Sequence, residues 1–405
     1  MHILVVNNLY PPIMAGGAEL IVAWLCEALV ARGHRVTVIS CCGPEQEPMP
    51  VEHRNGVEII RFFPPNVYWS FARDEQPRYR KAIWHLRDAW NAAAGRKVRR
   101  ILYETRPDIL HTHLLDGFSA SIWQQAKRFG IPVMHTAHDY HLLCPRAFLL
   151  TRDWKICTNP SPSCRVYRNW HMRTTRYVDF FASPSQFLLD YHRNRGLRAL
   201  ASGVVHNGIP LPDNAVAVRS ARKTCARTRF LLICRLTPEK GVRTVLHAFT
   251  KLSSDVPVEL LVAGRGELEA EVQAAAVIDS RITFYGYVAG ADKEALLIAA
   301  DYMLLPSLWY ENAPVTIIEA AAYGLGLVAS RIGGIPEFVE EGNTGFLYET
   351  GNVDKLVEII TRLANGTQTL SDSNMRSRSL AVRFGVDTMV DNYLQNYTQL
   401  ILPTT

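Results

Sequence analysis

Apolar positions in this chain fall into two alternating patterns. Short, almost continuously apolar runs read as buried strands, and longer stretches with apolar residues every three or four positions read as helices. Ile3–Asn8 is the first such strand. It is followed by a helix over Ala18–Arg32, whose Leu20, Ile21, Trp24, Leu25, Ala28 and Leu29 share one stripe; Gly33 ends it. Further strands are predicted at Arg35–Ser40, Val57–Phe63, Ile109–His111, Val133–Thr136 and Phe180–Ser183, with residues 64–77 as loop. Val204–Pro210 reads as a last strand running into an Asn207-Gly208 turn, and residues 211–228 carry no period. A second series then begins at Phe230 and continues at Glu259–Ala263, Ile282–Phe284, Tyr302–Leu305 and Leu327–Ala329. Strands alternating with helices predict an α/β protein of doubly wound parallel sheets. The break predicts two domains, 1–206 and 229–385, joined by a linker at 207–228. The amphipathic stretch with Met389, Tyr393, Tyr397, Leu400 and Ile401 predicts a terminal helix within 386–405.

A chain of 405 residues, 48% of them hydrophobic, has material for two cores. No run approaches the roughly 20 apolar residues of a membrane span. Met1-His-Ile-Leu-Val-Val has neither the basic start nor the cleavage site of a secretory leader, and eight scattered cysteines suit reduced thiols, so the expected location is the cytoplasm. The net charge of +6 hides an asymmetry, with the positive excess in the first half. Arg78, Arg80, Lys81, Arg87, Arg96, Lys97, Arg99, Arg100 and Arg106 face only Asp88 and Glu104 in one helical stretch that also holds Trp84 and Trp90. A basic helix with aromatics predicts contact with the anionic inner face of a membrane. The competing readings are a solvated helix that turns its tryptophans inward and, less favoured, nucleic-acid binding.

The candidate chemistry begins with Glu311 and Glu319, placed either side of a helix start at Pro314-Val315-Thr316. Proline suits the first helical position, and the N–H groups that follow it form an anion site. A phosphate there, with a carboxylate on either side to hold hydroxyls, describes a sugar nucleotide. Upstream, the apolar run Phe230–Cys234 leads into Arg235 and Lys240, two cations at the carboxyl edge of a predicted parallel sheet, where such sheets bind ligands. Gly16-Gly17 follows the first strand and opens a helix, so backbone can approach a ligand closely. His111, His113, His135, His138 and His141 cluster at two strand ends; His113 lies nearest the carboxyl edge, with His138 and Asp139 in a nearby loop. A metal site is the alternative for such a cluster. Cys144, Cys157 and Cys164, with His171 as a fourth ligand, leave a structural zinc site open beside the reading as thiols.

Arg235…Lys240, Gly264-Arg-Gly-Glu267, Phe284-Tyr-Gly286, Leu304-Leu-Pro-Ser307, Glu311…Glu319, Gly333-Gly-Ile-Pro-Glu337 and Gly342-Asn-Thr-Gly-Phe346 occur in an order and spacing that resemble the donor domain of family-4 retaining glycosyltransferases. The resemblance extends over almost the whole chain. It implies the GT-B fold: two Rossmann-like domains facing across a cleft, the first for the acceptor and the second for the nucleotide sugar, with the last helix crossing back to the first. It also implies retaining transfer of a hexose from a nucleotide diphosphate sugar to a saccharide, lipid-linked in polysaccharide assembly, without catalytic metal or other cofactor. By resemblance, Arg235, Lys240, Gly16, Gly17 and the helix start at Pro314, Val315 and Thr316 serve the diphosphate. Glu311 would hold the sugar, Glu319 the ribose, and Gly264 and Gly286 would line the donor site. His113 would lie beside the reacting sugar, with His138 and Asp139 on the acceptor side. The family pattern often has a further cysteine where Tyr167 stands here, which weakens the zinc reading. Two other functions remain open: an epimerase or hydrolase of sugar nucleotides on the same fold, and a catalytically silent binding subunit.

Overall fold

The computed structural model describes residues 1–14, 16–47, 49–72, 76–212, 226–370 and 383–402. The chain divides into two compact units: Met1–Leu149, Thr158–Gly208 and Val386–Thr405 form the first, and Leu150–Cys157 with Ile209–Gly385 the second. Most of the expected linker, residues 213–225, lies outside the described residues.

Among the described residues, unit 1 is built on a sheet of eight strands: β1 (His2–Val6), β2 (Arg35–Cys41), β3 (Glu52–Arg54), β4 (Val57–Phe62), β5 (Ile109–Thr112), β6 (Val133–Thr136), β7 (Phe180–Ser183) and β8 (Ala201–Val204). Their spatial order is β3-β4-β2-β1-β5-β6-β7-β8. All neighbours are parallel except β3 and β4, an antiparallel edge pair. The β3–β4 turn is Asn55-Gly56, both at positive φ, the pairing that lets a two-residue hairpin follow strand twist. β1 after His2 is a continuous buried apolar run, Ile3–Val6, and β5 opens on buried Ile109 and Leu110, as expected of parallel strands covered on both faces. The helices are α1 (Gly17–Ala31), α2 (Arg78–Ala89), α3 (Ala92–Thr105), α4 (Ser121–Arg128), α5 (Pro162–Thr174) and α6 (Gln186–Arg193), joined by the late helix α12 (Val386–Ile401). α12 packs on α1, where Arg32 pairs with Asp387 at 2.9 Å and with Asp391 at 2.5 Å.

Unit 2 has six parallel strands among its described residues: β9 (Thr228–Ile233), β10 (Val258–Ala263), β11 (Ile282–Phe284), β12 (Tyr302–Leu305), β13 (Gly326–Ser330) and β14 (Gly345–Tyr348), in the order β11-β10-β9-β12-β13-β14. Its helices are α7 (Val242–Lys251), α8 (Glu269–Ile278), α9 (Gly290–Ala299), α10 (Val315–Ala322) and α11 (Val353–Ala364). Phe230, Leu260, Val262, Val245, Phe249, Leu356 and Ile360 anchor one core layer between the sheet and α7 and α11.

In both sheets the strand order reverses beside the first strand of the unit, between β1 and β5 and between β9 and β12. Loops leaving the carboxyl ends of two such strands diverge, which opens a crevice. The chemistry-bearing loops follow these strands.

Three strand expectations change. β3 was not foreseen, although Asn-Gly is its signal. β8 ends where the expected strand began, so Val205–Gly208 follows the sheet instead of belonging to it. The Gly342–Phe346 motif runs into β14, an edge strand beside β13 that was not foreseen.

Candidate active site

In unit 2 the β9 and β12 loops are tied to each other. The amide of Leu308 donates to the Glu239 carbonyl at 2.8 Å, and Lys240 Nζ meets Glu311 Oε1 at 2.7 Å. Ser307 Oγ and Trp309 Nε1 each donate to that same Oε1 at 2.8 Å, and Lys240 sits 5.0 Å above the Trp309 ring. One carboxylate oxygen therefore receives three donors. Burial opposes ionisation of Glu311, but Lys240, Ser307 and Trp309 outweigh it and hold its carboxyl below the usual value. Behind it, Gly333 takes positive φ, and a Cβ there would lie 2.3 Å from the Glu311 carbonyl oxygen. Only glycine permits this approach.

Arg235 is exposed at the mouth of the same loop, 3.9 Å from the buried Glu239. Gly264 has a structural reason of its own: a Cβ would meet the Cys234 carbonyl oxygen at 1.9 Å, so glycine lets the β10 loop lie against the β9 loop. Gly286 joins this layer by accepting from the Gly264 amide at 2.7 Å. Pro314 caps α10 in extended conformation and is not its first residue, a correction to the expected register. Val315 and Thr316 therefore open the helix, where amides precede the intrahelical ladder. Glu319, one turn further, is held by Lys293 at 2.5 Å. The sequence reading missed Ser307, Trp309 and Lys293. Ser307 was visible within a motif, but a tryptophan two residues from a glutamate gives no sign that its N–H turns back.

In unit 1, Gly16 caps α1 with ordinary extended backbone, and its amide donates to Glu19 Oε2 at 2.9 Å. Glu19 thus takes one of the N–H groups expected to face an anion. A Cβ on Gly16 would meet nothing closer than 3.7 Å, so the local fold does not itself require glycine there. Gly17 is the first residue of α1.

His113 follows β5 directly and is buried. Its Nδ1 lies 2.9 Å from His138 Nε2, while its Nε2 has no hydrogen-bond partner among the described residues. Burial holds His113 well below its ordinary value and brings His138 down to about 4. Both rings are neutral near pH 7, and in the contact between them one nitrogen donates and the other accepts, so their tautomers are coupled. His111 lies one layer deeper, with Nδ1 2.6 Å from the Tyr397 hydroxyl and Nε2 2.8 Å from Thr136 Oγ1; Tyr393 reaches the same threonine at 3.1 Å. Two tyrosines of α12 thus back His111, whose ring lies 4.1 Å from that of His113, a contribution no local motif announced. His113, His135, His138, Asp139 and His141 line one pocket with Leu114, Leu115, Ala137 and Leu142.

His141 behaves differently. Burial works against its charge, but Asp116 at 3.1 Å and Asp88 at 3.7 Å push it up to about 10, so it stays an imidazolium. Asp139 accepts the His141 amide at 2.8 Å, and burial raises its carboxyl to about 6. Among the described residues, three-ligand spacing for a cation is reached by Asp88, Asp116 and His141, and not by Cys144, Cys157, Cys164 and His171. The one imidazole faces the two carboxylates through opposite nitrogens, which is the geometry of an ion-paired bridge. His171 is instead buried, its ring 4.2 Å from that of Tyr167.

The basic stretch also needs correction. Trp84 is buried, stacked 6.0 Å from Tyr68 and donating to the Tyr68 carbonyl at 3.1 Å; Trp90 makes a T-shaped contact with Trp170. Neither projects into solvent beside the arginines. Lys97 is paired with Glu47, and Arg100 with Glu104.

Residues 16–208 match the family described as glycosyl transferase 4-like domain, and residues 227–366 the family described as glycosyl transferases group 1. Two parallel-sheet domains carrying these matches in this order make the chain a glycosyltransferase of the GT-B fold. Within that class its similarity runs end to end with an uncharacterized 42.6 kDa protein in the cps region of Klebsiella pneumoniae, 29% identical over 98% of this chain and 100% of the relative. The phosphatidyl-myo-inositol mannosyltransferase of Mycobacterium leprae is 26% identical over 86% of this chain and 83% of its own. In fold, the chain resembles the crystal structure of Anabaena HepE in complex with UDP, with a TM-score of 0.71, 20% identity, and coverage of 99% of this chain and 100% of that one.

Proposed function

We propose that this glycosyltransferase moves a hexose from a nucleoside diphosphate sugar to a saccharide acceptor with retention at the anomeric carbon. The observation that carries this reading is the Glu311 centre: a buried ionised carboxylate fixed through one oxygen, beside Lys240 and the opening of α10. Lys240 has three donor protons and uses one on Glu311, which leaves two for phosphate oxygens. Arg235 adds a planar cation for the same diphosphate. Glu311 Oε2 holds sugar hydroxyls, and Glu319, poised by Lys293, takes the ribose. In the transfer, the bond from the anomeric carbon to the diphosphate oxygen breaks as charge develops on the leaving group. The acceptor oxygen bonds on the same face and gives its proton to a leaving phosphate oxygen. Lys240, Arg235 and the α10 amides stabilise that charge. Neutral His113 donates a hydrogen bond to a sugar hydroxyl, and His138 and Asp139 face the acceptor.

The chemistry needs no metal in this reading, because two cations and a helix start already oppose the diphosphate. Full turnover in EDTA is expected; activity lost on chelation and restored by Mg²⁺ or Mn²⁺ would overturn it. The acceptor is read as lipid-linked, in cell-surface polysaccharide assembly at the inner face of the plasma membrane. The cps-region relative and the mannosyltransferase named for a phosphatidyl lipid support that choice. Among the described residues no helix is long and apolar enough to cross a membrane, so the enzyme would meet such an acceptor from the surface.

The test is nucleoside diphosphate release from a panel of nucleotide sugars, with and without lipid-linked saccharide, and NMR of the anomeric proton in the product. Release that rises with acceptor and a retained configuration are expected. Acceptor-independent release or isomerised donor would favour a hydrolase or epimerase; tight donor binding without turnover would favour a silent subunit.

A further inference from the structure

α2 and α5 lie side by side in unit 1, joined by the Trp170 indole donating to the Ala89 carbonyl at 2.8 Å and by the edge contact of His85 with Tyr167. Each buries one face. On the other, α2 exposes Tyr79 (66%), Ile83 (40%) and Leu86 (77%), spaced four and three residues apart and so aligned on one stripe. α5 exposes Val166 (69%) and Trp170 (42%), again one turn apart. Amphipathic helices of a globular domain normally turn such a stripe inward. Here the inward residues are Trp84 and Asp88 on α2 and His171, Met172 and Thr174 on α5, which leaves the apolar stripe outside.

Charge selects the occupant. Arg78 and Arg87 of α2 and Arg165 and Arg173 of α5 are exposed on the same two helices. The acidic residue of α2, Asp88, is buried against His141, and α5 has no acidic residue. Aromatic and aliphatic side chains interleaved with arginines, with no exposed carboxylate on either helix, match an anionic bilayer: apolar groups enter the acyl boundary while guanidinium groups meet phosphate.

We propose that the α2–α5 face docks this enzyme on an anionic lipid surface. This differs from a docking site on the arginines of α3, two of whose cations are already paired with glutamates. The proposal rests on the reading of the acceptor as membrane-borne, but its test does not depend on turnover.

Full-length protein is sedimented with vesicles of phosphatidylglycerol and phosphatidylcholine, and with vesicles of phosphatidylcholine alone. Binding is expected to the anionic vesicles at low salt and to fall in high salt. The double variant Ile83→Glu with Leu86→Glu, and separately Arg87→Glu with Arg165→Glu, are each expected to lower partitioning about tenfold or more. A variant with Arg96, Arg99 and Arg106 changed to Glu should lose less. All substituted positions are exposed or half-exposed, and thermal melts check that the fold persists. Nucleotide-sugar turnover without vesicles should be unchanged in the α2 and α5 variants. Wild-type protein left in the supernatant at low salt would overturn the proposal, as would an α3 variant that loses as much binding as the apolar one. So would a dimer in solution that Leu86→Glu converts to monomer, because a second copy would then be the occupant. Absent turnover with intact vesicle binding would sink the catalytic reading and leave the docking face standing.

Discussion

The two sheets carry their chemistry at equivalent reversals of strand order and treat charge in opposite ways. Beside β5, burial leaves His111, His113 and His138 uncharged, with His111 brought down to about 3. Beside β12, Glu311 is just as buried and remains ionised, held by Lys240, Ser307 and Trp309. The difference lies in the partner. A buried imidazole whose neighbours are hydroxyls and other imidazoles gives up its proton, because nothing repays the loss of water. A buried carboxylate that meets an ammonium and two neutral donors keeps its charge. His141 is the control within unit 1: buried like its neighbours, it stays charged because Asp116 and Asp88 face it. Burial sets the cost, and the counter-charge decides the outcome.

The largest expected effect comes from removing the counter-charge in unit 2. Lys240→Ala should lower kcat/KM about a hundredfold or more, roughly 3 kcal/mol of transition-state stabilisation. It should also move the acid limb of the pH–rate profile upward, since burial then acts on Glu311 alone. An unchanged limb would mean that Lys240 does not set the state of Glu311.

His141→Asn should rank next. It strands two carboxylates, and a cost of about 3 kcal/mol is expected for breaking a buried ion pair. The folded-state value of His141 is raised, so its contribution is complete below about 6.5 and lost as pH rises through about 10. Melting temperature of the wild type should therefore fall over that window and that of the variant should fall less; parallel curves would dismiss the imidazolium.

Smaller losses are expected from Ser307→Ala and Trp309→Phe, about tenfold each in kcat/KM, the range for a hydrogen bond to a charged group. KM for donor and the acid limb should both rise. A loss in stability with unchanged pH dependence would make these residues mere packing.

Tyr397→Phe should have the least effect, about 1 kcal/mol, because it removes one neutral partner of His111. Below pH 6.5 the depressed histidines should make unit 1 acid-labile, since each binds a proton more readily unfolded. A melting temperature flat from pH 6.5 to 4 would contradict their neutrality.

Much of this was legible in the sequence because it rests on short-range pattern. The strands β1, β2, β9, β10 and β12 announce themselves as apolar runs, and Arg235, Lys240, Glu311 and Glu319 stand in spaced motifs. What stayed hidden depends on side chains turning toward distant partners. Nothing in the local sequence of Trp84 says that it stacks on Tyr68, and its neighbours' charge suggested the reverse. Lys293 meets Glu319 across 26 residues, and Tyr397 meets His111 across 286, separations at which periodicity carries no information. β14 and β3 were missed for another reason: both are short edge strands beside glycine turns, and the turn signal masks the strand.

Tyr393 and Tyr397 also set a temporal order. These partners of His111 and Thr136 lie 257 residues or more after β1, β5 and β6. A ribosome releases the first unit's strands long before α12 exists, and the whole of residues 209–385 is made in between. Unit 2 can therefore finish folding as an insert while unit 1 waits, its α1 face uncovered and His111 missing a partner. During synthesis the first domain to begin would be the last to close.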